Sequence, residues 1–212
     1  YFEAYFRTGE IYRNLKNFLE AIQAYEEAIR INPAYVDSLT SLGWIYTQLK
    51  RYPEALDTYR KAIAIKSDFA LAYYNIGVTL GELNRYEEAV EPLRKAIQLN
   101  PKFINAYYQL GLSFLKQKMF EQALGPLKQS IRIDPNNALA QYGLAQVYTE
   151  SNLLQEAILR LKDAIRVDSN FAQAHFLLGG NYMKLGLYES AIDPLKTAVR
   201  LEPKFDKAYN KL

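Results

Sequence analysis

The sequence predicts an all-α solenoid of antiparallel helix pairs. Three observations carry that prediction. Marker residues recur every 34 positions: Gly43, Gly77 and Gly111, with Gly9 and Gly179 on the same lattice and Ala145 in the remaining slot. A second series, Ala21, Ala55, Ala89, Ala123, Ala157 and Ala191, keeps the same step. Within each period, apolar and small residues are spaced by three and four, as on one face of an α-helix. A fixed period of this length is the mark of a repeat array, in which each unit buries its apolar face only against its neighbours.

Six units cover residues 2–205 without insertion: 2–35, 36–69, 70–103, 104–137, 138–171 and 172–205. Residues 206–212 read as the start of a seventh unit or a truncated capping helix, because Ala208, Tyr209 and Leu212 fall on the pattern. Numbering each unit from slot 1 to slot 34, slots 4, 7, 8 and 11 (Leu39, Leu42, Gly43 and Tyr46 in the second unit) predict a first helix, A, over about slots 1–14. Slots 20, 24, 27 and 28 (Ala55, Tyr59, Ala62 and Ile63) predict a second helix, B, over about slots 18–31. Small residues at slots 8, 20 and 27 let the two backbones approach closely. Slot 17 (Phe18, Tyr52, Tyr86, Phe120, Leu154, Tyr188) is expected to close the A–B turn. Proline or serine at slot 32 (Pro33, Ser67, Pro101, Pro135, Ser169, Pro203) is expected to stop helix B. Alanine at slot 3, with Ser38 as the exception, would seat each hairpin on the one before. Pro92, Pro126 and Pro194 lie inside helix B at slot 23, where each removes one backbone hydrogen bond and predicts a gentle bend.

Composition excludes several function classes. The chain has no cysteine, so disulfides, thiol catalysis and cysteine-ligated metals are out. Its one histidine, His175, sits at slot 4 and reads as a packing residue. A net charge of +3 gives no electrostatic case for nucleic acid, and no apolar run reaches the 18 residues that a membrane span needs. No N-terminal targeting pattern is visible in these residues, and the cytoplasm is the compartment expected. Glu87, Glu88, Glu121, Glu156 and Glu189 open the B helices, where carboxylates favour the helix N-terminus on a solvated face. No phosphate-binding glycine loop follows a strand. No catalytic residue, metal site or cofactor is expected.

The pattern Leu39-x-x-Leu42-Gly43-x-x-Tyr46…Ala55…Tyr59…Ala62, with Tyr73-x-x-Ile76-Gly77-x-x-Leu80…Ala89…Leu93…Ala96…Pro101 in the third unit, resembles the tetratricopeptide repeat (TPR) family. The resemblance covers nearly the whole chain six times over. It implies a right-handed superhelix of antiparallel helix pairs, a concave face lined by the A helices, and a partner polypeptide bound there.

By helical-wheel geometry, slots 4, 7, 8 and 11 of helix A face their own helix B, while slots 2, 5, 9, 12 and 13 lie roughly opposite. In this family the latter look into the groove. They supply the candidate partner-binding residues Phe6, Trp44, Leu71, Tyr74, Val78, Tyr108, Leu112, Tyr142 and Phe176, with Leu115 and Leu139 beside them. So apolar a surface predicts a cover, and tyrosine and tryptophan are efficient interface anchors. The slot-5 aromatics could also stack on one another and complete the core between repeats. Five acids (Glu3, Glu10, Asp37, Glu82, Glu150) and three bases (Arg13, Lys116, Lys184) leave these slots near neutral. Arg30, Arg132, Arg166 and Arg200 recur at slot 29, near the C-terminal ends of the B helices, where they suit the helix dipole.

The carboxylate clamp of heat-shock chaperone adaptors is absent: Asn75 fits one position, but Thr40, Trp44, Asn105 and Gln109 do not. Slot 6 (Arg7, Ser41, Asn75, Gln109, Gly143, Leu177) also lacks the asparagine ladder of the N-acetylglucosaminyltransferase arm. The expected function is therefore a non-enzymatic scaffold that binds a protein or peptide segment with apolar anchors. Two alternatives stand beside it. The chain starts at Tyr1 and stops early in a would-be helix, which would bare Ile192, Leu195, Val199 and Leu201. It could then assemble into oligomers through its terminal helices, or serve as the substrate-recruiting arm of a longer enzyme.

Overall fold

The computed structural model describes residues 1–203, so the expected seventh unit over 206–212 lies outside the described residues. Among the described residues the secondary structure is helical throughout. The A helices are α1 (Phe2–Asn14), α3 (Val36–Gln48), α5 (Ala70–Glu82), α7 (Ile104–Lys116), α9 (Ala138–Glu150) and α11 (Ala172–Lys184). The B helices are α2 (Phe18–Ile31), α4 (Tyr52–Ile65), α6 (Tyr86–Leu99), α8 (Phe120–Ile133), α10 (Leu154–Val167) and α12 (Tyr188–Leu201). Every A helix thus spans slots 1–13 and every B helix slots 17–30. The slot-17 residue is the first residue of helix B, one slot earlier than the periodicity suggests, and not part of the turn.

The A–B turn explains the shift. The slot-15 residue adopts a left-handed conformation in every repeat: Lys16, Lys50, Asn84, Lys118, Asn152 and Gly186, with φ between 58° and 74°. The following N–H reaches back to the helix, as in Arg51 N to Tyr46 O (2.8 Å), while Lys50 N bonds Thr47 O (3.0 Å). This is the Schellman ending, which satisfies carbonyls that the helix end would otherwise orphan. Only Gly186 adopts it free of Cβ strain. At the other end, slot 31 is extended, with φ near −132° at Asn32 and −133° at Lys66. The same geometry before Pro33 and before Ser67 shows that proline is not required for the stop. The Asn32, Asn100, Asp134 and Asp168 side chains accept N–H bonds two residues on, closing that turn locally. The helices carrying Pro92, Pro126 and Pro194 keep the same 14-residue span as the others.

The chain divides into two compact units, Tyr1–Ala106 and Tyr107–Leu212. In the first, the slot-24 residues Tyr25, Tyr59 and Leu93 are buried, each against the slot-8 glycine of its own repeat. A Cβ on Gly9, Gly43 or Gly77 would sit 2.5–2.6 Å from those side chains. In the second, Leu127 and Leu195 face Gly111 and Gly179 in the same way. Each such side chain contributes about 1.5–3 kcal/mol by leaving water. Leu195, expected to be bare at the end of the array, is therefore interior, whereas Ile192 is exposed. Slot-3 alanines Ala72, Ala140 and Ala174 are fully buried, as close packing between successive hairpins requires.

Candidate functional site

The candidate face is built by the A helices, and it differs between the units. In the first unit, Phe6 is half-buried between Tyr25 and Tyr35, with ring centroids 5.9 Å and 5.1 Å away. Trp44 is 37% exposed. Its ring meets the edge of Phe18 at 6.2 Å, and the Arg13 guanidinium lies 5.7 Å from its centroid. Arg13 also pairs with Glu10 at 2.6 Å, and Glu10 accepts hydrogen bonds from the Tyr25 and Ser41 hydroxyls. Burial first, then this bond to Glu10, holds the Tyr25 hydroxyl far above its usual range and therefore protonated. Leu71 is exposed, Val78 is half-buried, and Tyr74 packs on Phe103 at 4.7 Å, with burial raising its hydroxyl pKa.

In the second unit, Tyr108, Leu112, Tyr142 and Phe176 are all half-buried. Tyr142 lies 4.9 Å from Phe171 and accepts a hydrogen bond from Gln146 Nε2 at 3.2 Å. Burial and then the neighbouring Tyr108 raise its pKa, so this hydroxyl too keeps its proton. Leu139 stands 50% exposed beside them.

Two expectations are corrected here. The slot-5 aromatics Phe6, Tyr74 and Tyr142 each pack on the slot-34 aromatic (Tyr35, Phe103, Phe171) that precedes the next A helix. That position would ordinarily hold a polar N-cap. Among the described helices with an assigned cap, only Asn137 accepts a capping bond through its side chain, from Ala140 N. The packing role and the exposed rim thus coexist at one residue. Slot 12 is the second correction. Thr47 and Thr149, assigned to the open face, are buried between successive A helices. Thr47 Oγ1 bonds Thr79 Oγ1 (3.0 Å), and Asn181 Nδ2 donates to Thr149 Oγ1 (2.8 Å). Each pair joins slot 12 to slot 10 of the next repeat, a partnership visible in the sequence only once the register is known.

A hollow of about 310 Å³ opens on the A-helix side of the second unit, lined by Leu115, Phe120 and Leu177 with Gln146 and Thr149, and rimmed by Lys116, Lys118 and Glu150. None of the nine candidate residues lines it. Leu115, Lys116 and Glu150 belong to the groove slots named from the sequence, whereas Leu177, the sole apolar residue in the slot-6 series, does not. On the B-helix side are crevices of about 660 Å³ in the first unit, over Ile29, Leu39 and Leu42, and of about 290 and 420 Å³ in the second. His175 lines the last of these and contacts the Ser169 carbonyl oxygen at 3.1 Å. Arg30 and Arg166, two of the slot-29 arginines, pair with acids three residues earlier, Glu27 and Asp163. Among the described residues, no group of three or more His, Asp or Glu side chains is placed to hold a metal, and no helix is long and apolar enough to cross a membrane.

No curated protein matches the chain. Among solved structures it is similar to PilF of Pseudomonas aeruginosa, at 24% identity over 99% of this chain and 95% of that one, with a TM-score of 0.88. It is equally similar to PilW, a widely conserved type IV pilus biogenesis factor, at 23% identity over 99% and 97%, TM-score 0.88. A third is YrrB, a TPR protein with an unusual peptide-binding site, at 23% identity over 89% and 97%, TM-score 0.72. At such identities these likenesses speak for the fold, an all-α TPR solenoid. The family match is more specific: it spans residues 2–211, and the chain belongs to the TPR family described as the cilia and flagella-associated protein 70 C-terminal domain.

Proposed function

We propose that the chain is a non-enzymatic interaction scaffold that holds a partner polypeptide along its A-helix face. The observation that carries this reading is the exposure of Trp44 and Leu71 in one unit and Leu139 in the other, beside half-buried tyrosines whose hydroxyls keep their protons. Such a surface offers apolar area plus hydrogen-bond donors at low entropy cost. Phe6, Tyr74, Val78, Tyr108, Leu112, Tyr142 and Phe176 would line it, and an apolar side chain of an extended or helical segment would insert against them. The peptide-binding site of YrrB, on the same fold, supports a peptide as the partner class. Affinity should be micromolar, about −8 kcal/mol, because an open face repays little of the ordering cost of a single segment.

Tyr74 and Tyr142 also pack on Phe103 and Phe171, so their removal would confuse binding with folding. Leu71→Glu and Leu139→Glu change exposed positions instead. Partner capture should fall at least about tenfold in the double variant, while its melting temperature stays within a few degrees of the parent. Undiminished capture would refute the A-helix face as the site.

A further inference from the structure

Helices α1 and α12 each leave open a face that the other repeats cover. In the first unit α2 packs on α3 and α4 on α5; in the second, α8 packs on α9 and α10 on α11. At these junctions slots 3, 7 and 10 of the later A helix are buried, as at Ala72, Ile76 and Thr79 or Ala174, Leu178 and Asn181. On α1 the same slots hold Ala4, Thr8 and Ile11; all three are exposed, Ile11 at 60%. The covering face is open on α12. Its slot-21 residue Ile192 is 43% exposed, whereas Ile22, Leu56 and Ile158 are buried. A repeat buries such a face only against a neighbouring repeat, and a capping surface would be polar. These two faces carry isoleucine instead, and one is the counterpart of the other.

We propose that the occupant of the α1 face is a second copy of this chain, which docks its α11–α12 hairpin there head to tail. Three matches between the faces argue for it. First, Ile158 and Ile165 of α10 pack in one cluster with Ala174, Leu178 and Tyr182 of α11. In the docked pair Ile192 and Val199 take the places of those isoleucines, and Ala4, Thr8 and Tyr12 take the places of the α11 residues. Second, Lys128 lies over the Tyr148 ring and Lys162 over the Tyr182 ring, each 6.0 Å from the centroid. The next lysine of that slot-25 series is Lys196, and the slot-11 residue of α1 is Tyr12, over whose ring no cation lies among the described residues. Third, slot 12 meets slot 10 of the next repeat, polar with polar at Thr47–Thr79 and Thr149–Asn181. The residues of those slots left without a counterpart are Met183 and Ile11, and both are apolar. The chain carries all three counterparts itself, which selects a second copy over an unrelated helix. Because the two faces differ, the contact is heterologous: it adds copies end to end and leaves one face free at either end.

The test is sedimentation equilibrium of the full chain beside Ile11→Glu and Ile192→Glu, both at exposed positions. The average mass of the parent should rise at least about twofold between low micromolar and millimolar concentration, the range in which one open interface of this kind fills. Each variant alone should stay a monomer. Their equimolar mixture should form a dimer and go no further, because one variant keeps its α12 face and the other its α1 face. A parent that stays monomeric throughout would overturn the proposal. So would an Ile192→Glu chain that associates alone, which would place the contact between two α1 faces. The absence of cysteine offers a second readout. Slots 12 and 10 approach to 3.0 Å at Thr47 and Thr79. Under mild oxidation, an Ile11→Cys chain mixed with a Met183→Cys chain should therefore form the mixed disulfide at least about tenfold faster than either chain links to itself. Equal rates would overturn the proposal. Leu71 and Leu139 are untouched in all these chains, so the outcome is independent of partner capture on the A-helix face.

Discussion

The two compact units solve the same packing problem with different chemistry. Where repeats 2 and 3 meet in the first unit, Thr47 Oγ1 touches Gly43 O, Thr79 Oγ1 and the Tyr59 hydroxyl, and Thr79 donates to Asn75 O. Every polar group of that buried chain has a partner. Where repeats 5 and 6 meet in the second unit, Thr149 and Asn181 occupy the same slots, but slot 24 holds Leu161, which carries no hydroxyl. There Asn181 Oδ1 is buried with no hydrogen-bond partner. An unsatisfied buried acceptor costs about 1–3 kcal/mol, and the two seams differ at slot 10 (Thr79 against Asn181) and at slot 24 (Tyr59 against Leu161). The first unit places a tyrosine against its seam; the second fills that space with leucine and leaves a carbonyl oxygen exposed to nothing.

The largest expected effect breaks the closed seam. Tyr59→Ala should destabilise the chain by about 3–5 kcal/mol, because it empties a fully packed position beside Gly43 and removes a bond to Thr47. Urea denaturation with two probes would measure it, and a loss below that of an exposed control such as Leu71→Ala would contradict the account. The next effect is one of pH. Burial pushes the Tyr59 hydroxyl up to about 12 from an unfolded value of 10.0. A group whose pKa is raised on folding contributes its stability fully below pH 10, and this is lost between pH 10 and about 12. Tyr59→Phe should therefore shift alkaline unfolding, followed by circular dichroism, to higher pH.

Exchanging the two seams sharpens the comparison. Asn181→Thr should stabilise the second unit by about 1 kcal/mol, and Thr79→Asn should destabilise the first by about 1–2 kcal/mol. Changes of the same sign in both variants would show that the seam is not the cause. The smallest effect lies at the turns: Lys50→Gly and Lys118→Gly should each stabilise by up to about 1 kcal/mol, since lysine is strained where φ is positive and glycine is not. Thermal melts against Lys66→Gly, at an extended position, provide the control.

These differences also show what the sequence could carry. The 34-residue step of Gly43, Gly77 and Gly111 fixed the helix pairs, and slots 8 and 24 met as the 3–4 spacing required. The helix boundaries moved by one slot because the left-handed turn at Lys16 or Lys50 has no residue signature; lysine occupies it as often as asparagine and glycine together. At slot 12, Arg13 and Leu115 stay on the A-helix face, but Thr47 and Thr149 do not, because a helical wheel describes one helix and its partner whereas these two are buried by a third. The groove slots held Leu115, Lys116 and Glu150 of the hollow, but not its shape, because its walls come from three repeats of the second unit. Faces within a hairpin were legible, and faces between hairpins were not.

The central claim is that the A-helix face meets the partner. Site-directed photo-crosslinking tests it most directly, with benzoylphenylalanine placed at Leu71 or Leu139 on that face and at Glu91 or Leu159 on the B-helix side. Exposed to an extract of the source cell, the account predicts one shared crosslinked partner from positions 71 and 139 and none from 91 and 159. Crosslinks to a common partner from 91 and 159 alone would contradict it and place recognition on the opposite face.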